Sequence, residues 1–363
     1  MRILLVSHPP LTAELGAAQI ALNLAAALRE RGHDATAWSP EPLPADTRWW
    51  NLWRRQRRAI AEHAARHGPF DAIDTPAISA GRALGRSGPL VVRSIQPELL
   101  YLFQDVAGDL RRHLSPRAFA HALLAAPRAA AILGGWRRAR LILCMGSLEL
   151  AWMRRRFPGW AGKLGVYDCS PTAAEQTALV AVRRRRTEEL PRSAVRFLWL
   201  GRWAAHKGID RLLAFLARRL PAAPGDTVTL AGCGAAAAPA IENGMPREWL
   251  DAGRVRLLPA FGRGELPSLL AAHDAGLFTS HVEGWGLSLN EMLESGLPVF
   301  ATEAGAAADL RPFFPHRLLP FPPPDALPAS LPLEDLEANG YHRRFTWPAI
   351  ARAYEQQVLA SCV

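Results

Sequence analysis

Two short segments of this 363-residue chain carry side chains suited to binding a phosphorylated ligand. The first, GRWAAHKGID at residues 201–210, places Arg202 and Lys207 after an apolar run and before a helix pattern. Loops in this position lie at the carboxyl ends of strands, where open α/β sheets bind ligands. The two cations and the N–H groups of the following helix could together neutralise a diphosphate. The alternative is an exposed arginine and lysine on an ordinary loop.

The second segment, SHVEGWGLSLNEMLESGLPV at 280–299, holds Glu283 and Glu291 eight positions apart. Glycines on either side of Trp285 allow close approach of the backbone to a ligand, and the helix pattern from Leu287 directs its positive end toward an anion. Both carboxylates could accept hydrogen bonds from the hydroxyls of one sugar-bearing ligand. The alternative is that they are solvated surface glutamates.

The elements around these segments predict two Rossmann-like α/β domains. Short apolar runs separated by helix patterns are typical of parallel sheets. In the first half the predicted strands are residues 2–7, 72–77, 89–95 and 139–147. In the second half they are residues 195–200, 227–232, 254–260, 275–280 and 297–305.

Apolar periodicity is lost after residue 170 and marks the predicted domain boundary. We predict an N-terminal domain over 1–170, a linker over 171–192, a C-terminal domain over 193–340 and a C-terminal helix within 341–363. The proline-rich stretch 320–335 excludes a regular helix there.

Composition excludes several classes of protein. Hydrophobic residues make up 49% and charged residues 21% of the chain, as in ordinary globular proteins. No apolar stretch approaches the roughly 20 residues of a membrane span, and the N-terminus lacks a signal-peptide core, so we expect a cytoplasmic protein. The four cysteines are widely spaced and have no histidine cluster nearby, which argues against a zinc site and a disulfide framework.

The positive charge lies in the first half of the chain. Residues 1–190 contain 27 basic and 16 acidic side chains, whereas residues 191–363 contain 16 and 17. Within the first half, TRWWNLWRRQRRAI at 47–60 combines Trp49, Trp50 and Trp53 with four arginines. This pattern predicts a helix at an anionic membrane surface. The alternative is that the tryptophans pack inward beneath a solvated arginine face. No nucleic-acid motif occurs.

The two segments carry a resemblance to a known family. E-G-W-G-L followed by N-E-M-L-E-S-G-L-P-V resembles the E-x7-E signature of retaining family-4 glycosyltransferases of GT-B fold, and GRWAAHKGID resembles their phosphate-binding segment. Residues 1–34 and 258–280 are similar to further parts of that family. The resemblance implies two Rossmann-like domains facing each other across a cleft, with the C-terminal helix returning to the N-terminal domain.

The resemblance also implies roles for individual residues. Arg202 and Lys207 would bind the donor diphosphate, Glu283 the transferred sugar and Glu291 the ribose. The backbone at Gly284, Trp285, Gly286 and Leu287 would contact sugar and phosphates, and Gly16 would line the cleft from the N-terminal domain.

This sequence departs from the family pattern in the first half. Gly16 is followed by Ala17 rather than a second glycine. The histidine expected after the strand at 89–95 is absent, and Ser94 and Gln96 are the candidates to replace its hydrogen bond.

The predicted function is retaining transfer of a sugar from a nucleoside-diphosphate sugar to a hydroxyl of a glycan or lipid-linked acceptor. We expect no metal or other cofactor, no nucleic-acid partner, and a role in bacterial surface polysaccharide or glycolipid synthesis at the inner face of the plasma membrane. The alternatives are a catalytically weak donor-binding subunit that scaffolds a partner enzyme, or an epimerase or phosphorylase of the same architecture. The sequence does not specify the base, the sugar or the acceptor.

Overall fold

The computed structural model describes residues 1–12, 16–42, 51–112, 116–191 and 193–362. The chain forms two compact units. Unit 1 comprises Met1–Ser170 and Arg344–Val363, and unit 2 comprises Pro171–Arg343.

Unit 1 is built on a six-stranded parallel sheet with the order β2-β1-β3-β4-β5-β6. Its strands are β1 (Arg2–Val6), β2 (Asp34–Trp38), β3 (Ala72–Thr75), β4 (Leu90–Arg93), β5 (Leu141–Met145) and β6 (Leu164–Tyr167). Its helices before residue 170 are α1 (Gly16–Glu30), α2 (Leu52–His67), α3 (Glu98–Arg112), α4 (Pro116–Arg138) and α5 (Gly146–Arg156). Every residue of β3, β4 and β5 is buried, as expected for central strands covered on both faces.

Unit 2 contains a second six-stranded parallel sheet with the order β12-β11-β10-β7-β8-β9. Its strands are β7 (Arg196–Leu200), β8 (Thr227–Ala231), β9 (Val255–Leu258), β10 (Ala275–Phe278), β11 (Val299–Ala301) and β12 (Leu318–Pro320). Its helices are α6 (Ala173–Arg183), α7 (Ile209–Ala222), α8 (Ala238–Gly244), α9 (Arg247–Asp251), α10 (Leu266–Ala271), α11 (Leu287–Glu294), α12 (Ala307–Leu310) and α13 (Tyr341–Arg344). Two Rossmann-like units are therefore present.

The segment expected to be a linker, 171–192, instead opens unit 2 with a helix. Thr172 caps α6 through a reciprocal pair of bonds with Glu175, in which the Glu175 N–H donates to Thr172 Oγ1 at 3.2 Å and the Thr172 N–H donates to Glu175 Oε2 at 2.8 Å. Leu179 and Arg183 are buried. Capping and burial of one face fix this segment as a helix that packs on α10 and α11.

The last helix, α14 (Trp347–Cys362), packs on α1, β5 and β6 of unit 1. Tyr354 and Val358 bury its inner face. Gln357 Nε2 donates a hydrogen bond to the Val166 carbonyl at 3.0 Å, at the edge of the sheet. The C-terminal helix thus returns to the N-terminal unit, as the sequence analysis expects.

The Trp-Arg segment forms helix α2 from Leu52, and Trp49 and Trp50 lie outside the described residues. Within the described chain, no helix combines the length and apolar character needed to cross a membrane.

Candidate functional site

Each sheet reverses its strand order at one point, and polar side chains gather at both points. In unit 2 the chain leaves β7 toward β8 and β9 and later returns to β10 on the other side of β7. In unit 1 the equivalent reversal lies between β1 and β3. Loops at the carboxyl ends of strands on either side of such a reversal diverge, which leaves a crevice for a ligand.

In unit 2, side-chain and backbone hydrogen bonds join the loops that follow β7 and β10. Thr279 Oγ1 donates to the Lys207 carbonyl at 2.7 Å and accepts from Trp199 Nε1 at 3.1 Å. The His281 N–H donates to the His206 carbonyl at 2.8 Å. These bonds hold the segment carrying Lys207 against the segment carrying Glu283.

Gly208 is required where the two loops touch. Its φ of 68° is in the left-handed region, and a Cβ would lie 1.9 Å from the Thr279 carbonyl oxygen. Any larger residue would separate the loops, so the glycine after Lys207 is what permits their contact.

Lys207 and Glu283 form a direct ion pair between Nζ and Oε1. The Glu283 side chain is 7% exposed and also accepts a hydrogen bond from Ser280 Oγ at 2.8 Å. Burial beside Lys207 lowers the pKa of His206 to about 4, so this imidazole is neutral at pH 7. The site therefore holds a cation and a carboxylate in contact, with a neutral histidine next to them.

The Gly-Trp-Gly turn shapes the backbone beside Glu283. Gly286 caps α11 with a φ of 81°, and a Cβ there would lie 2.8 Å from the Phe278 ring. The Trp285 side chain is buried and donates from Nε1 to Asn290 Oδ1 at 2.9 Å, so it stabilises the turn from inside. The backbone of Gly284 and Leu287 lies on either side of Trp285 and Gly286. Leu287 is the first residue of α11, and the first N–H groups of a helix lack intrahelical partners.

Glu291 lies on α11 and is joined to a different cation. Arg263 Nη2 donates to Glu291 Oε1 at 2.7 Å and to Glu175 Oε1 at 2.6 Å. Burial raises the pKa of Glu291, although Arg263 opposes the shift. Burial by itself would raise the pKa of Glu175, but hydrogen bonds from the Thr172 N–H and from Arg263 hold that pKa below its usual value.

The structure brings together some of the predicted site residues and not others. Lys207 and Glu283 are in contact, whereas no hydrogen bond or ion pair among the described residues joins either of them to Arg202 or Glu291. The Arg202 side chain is exposed and close enough to His206 to contribute to lowering its pKa. Gly16, in unit 1, is the first residue of α1.

The sequence analysis missed Arg263, Glu175, Ser280 and Thr279. One sequence signal was available for this group: Thr172 followed three residues later by Glu175 is a capping-box pattern. Nothing in the sequence near Arg263 indicates that it pairs with two glutamates far apart in the chain.

In unit 1, a pocket of about 560 Å³ adjoins the reversal between β1 and β3. Its lining is largely apolar and includes Trp53 and Ile78, with His8, Gln96 and Glu98 among its polar residues. Gln96, which is part of this lining, is one of the two residues proposed to replace the family histidine. The other, Ser94, donates from Oγ to Glu149 at 2.8 Å.

Burial shifts the pKa values of two polar groups of this pocket toward their uncharged forms. His8 Nε2 is 2.7 Å from Ser79 Oγ, and burial lowers the pKa of His8 to about 4. Glu98 accepts hydrogen bonds from the N–H groups of Ala77 at 2.5 Å and Ile78 at 3.0 Å, yet burial raises its pKa to about 7. The pocket thus suits a ligand with an apolar portion and a few hydrogen-bonding groups.

Tryptophan also adjoins arginine in WRRAR at 136–140. The described tryptophans of this stretch and of the segment 47–60 pack inward. Trp53 packs against the core of unit 1. Trp136 is 4% exposed and makes edge contacts with Phe157 and Trp160. For these residues the structure agrees with the alternative of inward packing, and the adjacent Arg54, Arg55 and Arg58 are exposed.

Comparisons with known proteins find matches to part of the chain and to its fold. Residues 194–313, which contain Arg202, Lys207, Glu283 and Glu291, match the family Glycosyl transferases group 1. A 137-residue part of the chain, 36% of its length, is 30% identical to a glycogen synthase of Mycobacterium tuberculosis and spans 30% of that protein.

Solved structures resemble the chain over almost its whole length. A sucrose-phosphate synthase from Thermosynechococcus elongatus has a TM-score of 0.65 at 17% identity, over 99% of this chain and 94% of its own. The fold is GT-B. Anabaena Alr3699/HepE, solved in complex with UDP and glucose, has a TM-score of 0.54 at 18% identity, over 99% of this chain and 95% of its own.

Proposed function

We propose that this protein is a retaining glycosyltransferase of the family-4 type, and that unit 2 binds a nucleoside-diphosphate sugar. The contact between Lys207 and Glu283 carries the proposal, since it joins a cation that could bind a phosphate to a carboxylate that could accept hydrogen bonds from sugar hydroxyls. The match of residues 194–313 to Glycosyl transferases group 1 supports it, as does the UDP complex of the Anabaena protein.

The ion pair suggests how the site would respond to the donor. In the structure Glu283 is ion-paired with Lys207. A diphosphate would compete for the ammonium group through charge-assisted hydrogen bonds, which would leave Glu283 able to accept from a hydroxyl of the sugar. Exposed Arg202 would add a second cation to the diphosphate. Glu291, held by Arg263, would accept from the ribose.

In the proposed reaction the bond from the anomeric carbon to the diphosphate oxygen breaks and a bond from that carbon to the acceptor oxygen forms. The diphosphate leaves with the electron pair, and the hydroxyl proton passes to a phosphate oxygen or to water. Lys207, Arg202 and the N-terminus of α11 would stabilise the charge that develops on the leaving group. We propose that attack occurs on the face from which the diphosphate leaves, which retains the anomeric configuration.

We further propose that the pocket at the β1 and β3 reversal of unit 1 receives the acceptor. Its largely apolar lining fits a lipid-linked or glycolipid acceptor better than a free polar glycan. Such acceptors reside at membranes, and we propose that the arginine-rich surface of unit 1 associates with the anionic inner face of the plasma membrane during surface polysaccharide or glycolipid synthesis.

A panel of nucleotide sugars tests the donor proposal. One of them should raise the melting temperature of the protein, and the same compound should be consumed when a lipid-linked acceptor is present. NMR of the product should show the anomeric configuration of the donor. Transfer in EDTA should equal transfer in added Mg²⁺, because we propose that side chains replace a metal at the diphosphate. Donor binding without any transfer or hydrolysis would instead indicate a donor-binding scaffold subunit.

A further inference from the structure

A second pocket of unit 1 is lined by arginines. It has a volume of about 680 Å³ and lies between α2 and the loop that follows β3. Its charged lining consists of one glutamate and six arginines: Glu62, Arg54, Arg57, Arg58, Arg82, Arg86 and Arg138. We call it the arginine pocket.

Most of this positive charge has no carboxylate partner. Arg58 Nε donates to Glu62 Oε1 at 2.7 Å, and both side chains are exposed. Arg138 Nη1 donates to the Gly134 carbonyl at 2.7 Å. Across the described part of the chain, no ion pair involves Arg54, Arg57, Arg82, Arg86 or Arg138. Six positive charges therefore face one negative charge, which is already neutralised.

Arg57 is the arginine that the fold positions most closely. A Cβ at residue 81 would lie 2.5 Å from Arg57 Nη2, so Gly81 leaves the space that the guanidinium occupies. Partial burial, with the nearby charge of Arg138, lowers the pKa of Arg57 below its usual value. Two guanidinium groups close together without a carboxylate repel each other, and a bound anion would remove that cost.

We propose that the arginine pocket binds the phosphate group of an anionic ligand, at a site separate from the donor loops of unit 2. Guanidinium groups form paired, planar hydrogen bonds to phosphate oxygens, and several of them can surround one phosphate. Arg54 also lines the apolar pocket of unit 1, so a ligand with both a phosphate and an apolar portion could contact both pockets. Two sources share this chemistry: a phosphate ester in solution and the headgroup of an anionic phospholipid.

Titration with inorganic pyrophosphate tests the site in solution. The starting protein carries Arg202→Ala and Lys207→Ala, which remove the proposed diphosphate site of unit 2. The pocket variant adds Arg57→Ala and Arg138→Ala. The control adds Arg247→Ala and Arg256→Ala, which change two exposed arginines of unit 2 and the same amount of charge. Calorimetry at fixed ionic strength should show binding at least about tenfold weaker in the pocket variant and nearly unchanged in the control.

Vesicle sedimentation distinguishes the two sources. The same three proteins are mixed with vesicles of phosphatidylglycerol and phosphatidylcholine, or of phosphatidylcholine alone. If only the pocket variant loses binding to anionic vesicles, the phosphate belongs to a lipid headgroup. If the pocket variant loses only its binding of pyrophosphate, the phosphate belongs to a soluble ester. A variant with Arg57→Lys and Arg138→Lys should bind at an intermediate level, because it keeps the charge and loses the planar donors. The proposal is overturned if the starting protein binds neither probe, or if the pocket and control variants weaken equally.

Discussion

The candidate donor site of unit 2 and the two pockets of unit 1 arrange their charged groups in opposite ways. In unit 2 the buried carboxylates at the candidate site contact cations, since Glu283 pairs with Lys207 and Glu291 with Arg263. In unit 1 the partly buried Glu98 is held by backbone N–H groups, while six arginines line a separate pocket. Paired charges are positioned before a ligand arrives and must exchange partners to bind it. Unpaired arginines leave the ligand to supply the missing negative charge.

The largest expected effect follows from breaking the Lys207 and Glu283 pair. Replacing Lys207 with alanine should reduce kcat by about 100- to 1,000-fold, because it removes a donor to the developing diphosphate charge. Glu283→Ala should have an effect of similar size through loss of the sugar contact. Steady-state kinetics with the donor found in the panel provide the measurement. The control is Arg256→Ala, which changes an exposed residue of β9; near-normal kcat in both site variants would contradict the assignment.

The second effect separates paired from unpaired arginines by their contribution to stability. Arg263→Ala leaves buried Glu291 without its partner and should lower the free energy of unfolding by about 1 to 3 kcal/mol. Arg57→Ala removes a cation that has no carboxylate partner and should change that free energy by less than about 0.5 kcal/mol. Urea denaturation of both variants measures the difference. Equal losses of unfolding free energy in the two variants would contradict the expected difference between paired and unpaired arginines.

The variant Arg263→Ala should also weaken donor binding if Arg263 positions Glu291. The Michaelis constant for the donor should rise by about tenfold while kcat changes less, since the ribose contact contributes to binding in the ground state as well as the transition state. Arg263→Lys should restore part of the affinity. A purely structural role for Arg263 would leave the Michaelis constant of the folded variant unchanged.

The last prediction concerns the pH dependence of unit 1, where the effect is spread over several pH units. Burial raises the pKa of Glu98 from 4.5 to about 7, so the protonated carboxyl favours the folded state. This contribution is fully present below about pH 4.5 and is lost as the pH rises to about 7, by roughly 3 kcal/mol in all. The difference in unfolding free energy between wild type and Glu98→Gln should change over that range. Exposed Glu62→Gln is the control, and a pH-independent difference for Glu98→Gln would contradict the raised pKa.

The strands show how much of the fold the sequence can predict. Nine of the twelve are predicted from apolar runs, and the three missed strands, β2, β6 and β12, all lie at sheet edges. An edge strand has fewer neighbours to cover it, so it need not be continuously apolar. The burial of β2 and β6 confirms this, since only one residue of each is fully buried. Helix α6 is missed for another reason, because the loss of apolar periodicity after residue 170 indicated a linker.

The candidate site was predictable where one local segment carries the chemistry. Lys207 and Glu283 stand out because each follows an apolar run and adjoins a glycine turn. Arg263 and Glu175 contribute through a contact between residues 88 positions apart, and a single sequence contains no local signal for such a contact. The arginine pocket falls between these cases. The arginines of α2 are adjacent in the sequence and can be recognised there, but Arg82 and Arg138, which line the same pocket, come from other elements.

The two lysines of the chain allow the most direct test of the donor site. Lys207→Gln and Lys163→Gln make the same chemical change, the first in the loop after β7 and the second in unit 1, where Lys163 donates to carbonyl groups at the end of α4. Calorimetric titration with the selected nucleotide sugar should show binding to wild type and Lys163→Gln, and binding weaker by at least about tenfold in Lys207→Gln. Equal affinity in the three proteins would contradict the account.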